Sequence, residues 1–350
     1  MRVVVVGATG NVGTSLVEAL AAEPRVDSVL GLARRRPELE MAKTTWETAD
    51  VADADLVRHF RGADAVVHLA WAIQPSRDRN VLWRINVEGS SRVFGAVAAA
   101  GVRALVYASS VGAYSPGPRH RRVDETWPTH GVPTSFYARH KAEVERRLDR
   151  FEHEHPDVRV VRLRPALIFK RGAATGIRRL FAGPFLPSPL VAPRRIPVIP
   201  DVPGLCFQAV HSRDVADAYR LALLNDVRGP FNVAAEPVLD PPTLARLLGA
   251  RPVRIPVRVA RTVTAGSYRL HLQPSEVGWL DMGLNVPLMD IGRARRELGW
   301  EARRGADEAF VELLAGMAEG TGAETPPLDP ARSGPGRVRE ILTGVGRRSW

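Results

Sequence analysis

The sequence predicts an α/β protein built on a doubly wound parallel sheet, with a smaller C-terminal substrate-binding part. Over the first 165 residues, short β-rich runs alternate with longer helical patterns, the signature of βαβ units. Several runs, such as VVVV at 3–6 and AVVHLA at 65–70, are apolar on both faces, as strands covered by helices on each side must be. A glycine-rich turn, Gly7 to Gly13, directly follows the first run and opens a helix in which Val12, Leu16 and Leu20 recur every four residues.

The strands fall at Arg2–Val6, Ser28–Ala33, Thr44–Glu47, Ala65–Ala70, Ala104–Ser109 and Arg159–Arg164, and a long charged helix runs from Tyr137 to Glu154. This first unit is taken as 1–165. After Pro165 the pattern changes. Seven prolines between Pro184 and Pro203 break regular helix and suggest an irregular wall or lid over a site. The substrate-binding region is taken as 166–317. Within it the segments at about 205–235, with short strands near Ala209–Val210 and Pro230–Val233 around a helix at Val215–Leu224, are expected to return to the main sheet. From 318 to 350 the chain is rich in Gly, Pro and charge. It is read as a loosely ordered tail with one helical pattern near Val338–Leu342.

Composition narrows the function classes. The single cysteine, Cys206, cannot form an internal disulfide, and neither the opening run nor any later one has the length of a signal or spanning segment. A soluble protein of the cytoplasm, with no membrane contact, is expected. The balance of 49 Lys+Arg against 38 Asp+Glu gives +11. The basic residues are almost all arginine and are spread along the chain without an aromatic-interleaved stripe, so no nucleic-acid partner is expected. There is no metal-spaced Cys/His set; the expected partner is a small-molecule substrate.

Gly7, Thr9, Gly10, Asn11, Val12 and Gly13 stand where a phosphate-binding turn belongs. Glycines permit the tight turn, and the helix N-terminus offers free N–H groups and a positive dipole end to a pyrophosphate. The end of the second strand reads Leu32-Ala33-Arg34-Arg35-Arg36, with no carboxylate to bond the ribose hydroxyls of NAD. Arg34 suits a 2′-phosphate, so NADP(H) is favoured over NAD(H). Asp50 and Val51, just past the third strand, fall near the adenine. Tyr137 and Lys141 lie at i and i+4 on one helical face, where the ammonium is expected to lower the phenol's pKa and make it a general acid/base. Ser109 and Ser110 end the fifth strand on the carboxyl edge, where a hydroxyl can orient a substrate oxygen.

With these residues the sequence resembles the extended short-chain dehydrogenase/reductase superfamily, the NAD-dependent epimerase/dehydratase family, of Rossmann-type fold. The likeness rests on GATGNVG at 7–13, DAVVHLA at 64–70, NVEG at 86–89, ASSVGAY at 108–114, Tyr137 through Lys141, Arg164-Pro165, VHSRDVA at 210–216, FNV at 231–233 and ELGW at 297–300. The resemblance implies that Ser110 is the catalytic serine and Tyr137 the acid/base. It implies too that Lys141 also holds the nicotinamide ribose, and that Leu69, Ala70 and Asn86 lie close to the cofactor. A homodimer through the helices at 87–100 and 137–154 is likewise implied.

Departures from the family pattern point to an alcohol/carbonyl oxidoreductase. Val111-Gly112-Ala113 replaces the Asp-Glu pair of sugar dehydratases, and GLCFQAVH at 204–211 lacks the arginine that holds a sugar nucleotide's diphosphate. Trp71, Val111, Tyr114, Phe169 and Phe207 are the candidate walls of an apolar pocket. Two rival readings stand beside this one: a nucleotide-sugar epimerase with tightly held NAD, and a non-catalytic dinucleotide-sensing regulator.

Overall fold

The computed structural model describes residues 1–73, 78–181 and 191–329. Seven parallel strands form the central sheet. In chain order they are β1 (Arg2–Val6), β2 (Ser28–Ala33), β3 (Thr44–Thr48), β4 (Ala65–His68), β5 (Ala104–Ala108), β6 (Arg159–Pro165) and, after two strands of a smaller sheet, β9 (Gly229–Val233). Their spatial order is β9-β6-β5-β4-β1-β2-β3. The strand order reverses between β1 and β4, which are directly paired, with Val6 opposite His68. A crevice opens beyond the carboxyl ends of strands at such a reversal, and this fixes where a ligand can sit in a Rossmann-type sheet.

The helices that cover the sheet follow from the apolar stripes. In α1 (Asn11–Ala21) Leu16 and Leu20 are fully buried, while Val12 is partly covered. On the other face, α2 (Gly89–Ala99) and α3 (Phe136–Glu154) place Val93, Phe94, Val144 and Leu148 against Leu105 and Tyr107 of β5. The Ser135 hydroxyl starts α3 by accepting the Ala138 N–H at 3.3 Å, satisfying one of the donors a helix start leaves open.

Of the two short strands expected to extend the main sheet, only β9 does so, paired in parallel with β6. The other, β8 (Phe207–His211), lies between β7 (Leu167–Phe169) and β10 (Ala235–Leu239) in a separate three-stranded sheet. Helix α4 (Ala174–Phe181), α5 (Ser212–Leu224), α6 (Val277–Asn285) and α7 (Ala306–Glu319) complete the part of the molecule that matters for the site. The proline-rich segment is described only from Val191, and the helical pattern at 338–342 lies outside the described residues. The tail is packed as far as it is described: α7 runs through Glu319, and Thr325 and Leu328 are buried. Buried backbone and side-chain bonds replace the loose order expected of residues 318–329.

Candidate active site

The glycine turn and the strand ends border an open cleft with a cavity volume of about 180 Å³. It is lined by Gly7, Thr9 and Gly10 from the turn, Arg34 and Arg35 from the end of β2, and Asp50 and Val51 after β3. Leu69, Ala70 and Trp71 after β4 complete that side. At Gly7 and Gly13 nothing larger fits. Gly7 has φ +88°, and a Cβ on it would stand 2.6 Å from the Ala70 nitrogen; a Cβ on Gly13 would stand 2.6 Å from the Ala8 carbonyl carbon. Just past β4, Leu69 still donates its N–H to the Val6 carbonyl of β1 at 2.8 Å, and the Leu69–Ala70 peptide then passes directly against Gly7.

Asn11 is absent from the cleft walls. Its side chain donates to the Ile168 carbonyl at 3.0 Å, tying the first turn of α1 to β7, and Val12 packs into the core. Lys170 reinforces this joint by donating to the Asn11 carbonyl and to the Thr14 and Ser15 hydroxyls at 2.6 to 3.0 Å. Asp50 uses one carboxylate oxygen to accept the Ala52 N–H at 2.9 Å, which shapes the turn after β3.

Asn86 acts through the loop. It is fully buried, and its amide bonds both the N–H and the carbonyl of Ala72 at 2.7 and 2.8 Å. It sits in a π-type turn, Arg84–Glu88, leading into α2, the kind of wide turn that often marks functional positions. The Ser90 hydroxyl donates to the Asn86 carbonyl at 2.6 Å and lies 2.9 Å from His68 Nε2. Burial pushes the His68 imidazole down to about 3, with the nearby Lys141 charge adding to the effect, so it is neutral in this chain.

Ser110, Tyr137 and Lys141 meet at the Trp71 end of the cleft. The Ser110 hydroxyl accepts the Gly112 N–H at 3.0 Å, which fixes it at the start of a short turn, Val111–Ala113. Burial raises the Tyr137 phenol to about 12, against a lowering by its hydrogen bond with Ser110. Lys141 Nζ donates to the Ala108 carbonyl at 2.6 Å and lies 3.5 Å from the centre of the Trp71 ring. It stands 6.0 Å from the Tyr137 ring centre. The expected lowering of the phenol by this lysine is therefore absent from the geometry: the ammonium is directed into a carbonyl and an indole face. Burial pushes the Lys141 ammonium itself well down, with Glu145 pulling the other way.

The two serines have separate duties. Ser109 donates at 2.5 Å to Glu145, a carboxylate 1% exposed beneath the site. Arg164 grips that carboxylate with Nε and Nη2, both at 2.9 Å, and Arg162 adds a third arm at 3.0 Å.

Residues 3–182, just over half of the chain, match the NAD dependent epimerase/dehydratase family. The chain belongs to that family.

An uncharacterized protein of Mycobacterium tuberculosis is 30% identical over 316 residues, 89% of this chain; the chain spans only 30% of that relative's length. The sterol-4-alpha-carboxylate 3-dehydrogenase ERG26 of Saccharomyces cerevisiae is 27% identical over 91% of this chain and 98% of its own. Among solved structures, the UDP-glucose 4-epimerase of Thermus thermophilus in complex with NAD superposes with a TM-score of 0.66 at 22% identity, over 91% of this chain and 99% of that one. That likeness shows the fold.

Within the family frame, three of the proposed pocket walls lie elsewhere. Tyr114 is 0% exposed, and its hydroxyl donates to Asn232 at 2.6 Å while accepting from Arg164 at 3.0 Å, so it is a core residue. Phe169 and Phe207 pack on Phe310 of α7, with ring centres 6.0 and 6.4 Å apart. Val111 is buried beside Ser110. The aromatic surround of Tyr137 comes from Trp71 and from Trp279 of α6, a residue absent from the expected pocket walls, whose ring centre is 4.9 Å from the tyrosine's. Phe181 at the end of α4 meets Trp279 edge-on at 5.0 Å. Met282 closes the same side: its Sδ would be 3.1 Å from a Cβ on Gly112. No local pattern marks α6, because Trp279 and Met282 become neighbours of Tyr137 only through packing. The cleft also takes in Pro326 and Pro327. Among the described residues no helix is long and apolar enough to cross a membrane, and no group of His, Cys, Asp and Glu could hold a metal.

Proposed function

We propose that this protein is an NADP(H)-dependent alcohol/carbonyl oxidoreductase of the cytoplasm, with Tyr137 as acid/base. The observation that carries the reading is the convergence of Ser110, Tyr137 and Lys141 at one end of the glycine-turn cleft. The cleft fits a dinucleotide: Gly7 and Gly13 leave the close approach a Cβ would fill, Arg34 and Arg35 are at its edge, and no acidic residue follows β2 before Glu38. Those arginines favour a 2′-phosphate over bare ribose hydroxyls.

A nicotinamide held beside Ser110, Tyr137 and Lys141 would supply or accept the hydride. The chain's own residues handle the oxygen. A phenol held at about 12 is protonated at neutral pH, so Tyr137 is set to give its proton to a carbonyl oxygen as that oxygen gains charge. Ser110 orients the oxygen from the neighbouring turn, and the Lys141 ammonium, held against Trp71, offsets the negative charge left on the Tyr137 oxygen once its proton has gone to the substrate. In balance, a carbonyl, a hydride from the dinucleotide and one proton give an alcohol and the oxidised dinucleotide. Trp71, Trp279, Phe181 and Met282 exclude water and favour an uncharged, largely apolar substrate.

The test is NADPH consumption by the purified protein across a panel of uncharged aldehydes and ketones, run beside titrations with UDP, UDP-glucose and UDP-galactose. Turnover of apolar carbonyls without micromolar sugar-nucleotide binding is expected. Interconversion of the two sugars would overturn the reductase reading.

A further inference from the structure

Beyond Gly320, whose φ of +69° ends α7, the chain turns back onto α4 and the glycine turn. The Thr175 N–H donates to the Thr321 carbonyl at 3.2 Å. A small loop is then closed by two backbone bonds, Ala323 N–H to Leu328 O at 3.0 Å and Leu328 N–H to Thr325 O at 2.9 Å. Leu328 anchors it, 5% exposed and with Cδ2 3.5 Å from the place of a Cβ on Gly176. At the tip, Thr325 is 1% exposed and its hydroxyl donates to the Thr9 carbonyl at 2.9 Å. The Gly10 N–H, on the other end of that same peptide, donates to the Gly7 carbonyl at 3.2 Å. One peptide plane of the glycine turn is thus held from both sides, once from within the turn and once from a residue 316 positions away.

Pro326 and Pro327 follow Thr325 directly and line the cleft together with Gly7, Thr9 and Gly10. A proline pair has a fixed φ and no amide hydrogen, so it presents an ordered apolar surface that loses little freedom when a ligand packs on it. Nothing about that surface competes for the phosphate-binding N–H groups of the turn.

We propose that residues 321–329 form a wall of the dinucleotide site, with Pro326 and Pro327 touching the bound cofactor and Thr325 positioning the glycine turn. This rests on the cofactor reading above and goes beyond it by assigning binding residues to a segment outside both the glycine motif and the matched family region. Its consequence is kinetic: the wall slows release of the dinucleotide, because contacts added to a formed complex act mainly on dissociation.

The experiment uses the full chain with NADPH as probe. Affinity is measured by calorimetry and release by stopped-flow fluorescence, for the unmodified protein, the Pro326→Gly/Pro327→Gly double variant and Thr325→Val. The double variant is expected to bind about tenfold more weakly, through faster release, and Thr325→Val about fivefold more weakly, since the buried Thr9 carbonyl loses its donor. Variants that keep the native melting temperature and bind NADPH as tightly, or more tightly, overturn the proposal. Hydrogen exchange on the unmodified protein gives an answer independent of variant folding: saturating NADPH should slow the amides of 321–329, and unchanged exchange there with NADPH bound overturns the contact. If the unmodified protein binds neither NADPH nor NADH, the cofactor reading fails and takes this one with it. Binding by the unmodified protein with unaffected variants removes this inference alone.

Discussion

Replacing Glu145 with glutamine removes the charge that holds two buried arginines and the Ser109 hydroxyl. Burial alone would raise this carboxyl, but the Arg164 bonds, the Arg164 and Arg162 charges and the Ser109 hydroxyl bring it down from an ordinary 4.5 to about 2. At about 1.4 kcal/mol per pH unit, that displacement corresponds to on the order of 3 kcal/mol of folding stability. Breaking a buried pair from one side costs about 3–5 kcal/mol, so the two routes agree. Arg162 keeps the carboxylates of Asp149 and Glu152 as partners in the variant, whereas Arg164 loses its carboxylate partner and keeps neutral acceptors such as the Tyr114 hydroxyl and the Glu125 carbonyl. A carboxyl whose folded pKa is depressed stabilises the fold fully above its unfolded value, and this contribution fades as pH falls through the folded one. The wild-type advantage should therefore be complete at pH 7, shrink below about 4.5 and be nearly gone at about 2. Urea unfolding at pH 7 and at pH 3, with both proteins compared at each, reads this directly. A loss below about 1 kcal/mol at pH 7, or an equal gap at both pH values, would refute the reasoning.

Tyr137→Phe should leave folding and NADPH binding nearly intact and lower carbonyl turnover by about 100-fold or more; a variant with near-normal turnover removes tyrosine from the chemistry. Replacing Arg34 and Arg35 with serine should weaken NADPH by about 1.5–3 kcal/mol per lost charged hydrogen bond and leave NADH almost unchanged. Calorimetry showing tighter NADH than NADPH in the unmodified protein would refute that assignment. Gly13→Ala should abolish measurable dinucleotide binding at micromolar protein, because its Cβ meets the Ala8 carbonyl carbon at 2.6 Å and only the turn itself can move away; unchanged binding of either dinucleotide would show that the turn is not a close-approach surface.

Much of the first half of the molecule was legible because its signals are local. The alternation of apolar runs and helical stripes reads out the first six strands of the large sheet, and the α1 stripe buries Leu16 and Leu20 as its spacing demands. Gly7 and Gly13 mark positions where a Cβ meets backbone, a constraint local enough to leave a motif. The errors fall where partners are remote. Tyr114 follows Ser110 closely and reads as a pocket wall, yet its hydroxyl is taken by Asn232, 118 residues away. The strand expected near Ala209–Val210 is present as β8, but it pairs with β7 and β10 in a separate sheet, a choice of partners that its own pattern does not record.

By itself the sequence determined the parallel sheet, the glycine turn after its first strand and the residue types suited to binding a dinucleotide and moving a proton. Each is encoded by periodicity or by spacing within a single turn of chain. Only the tertiary structure decided what surrounds them. Trp279 reaches Tyr137 from α6, Asn86 holds the Ala72 loop from a π-type turn, and Pro326-Pro327 come to the cleft from a tail whose composition reads as loose. Those placements rest on contacts between residues 14 to more than 300 positions apart, such as Thr325 on Thr9. Which distant segments pack together is set by the joint burial of all the elements, and no local pattern in the chain records it.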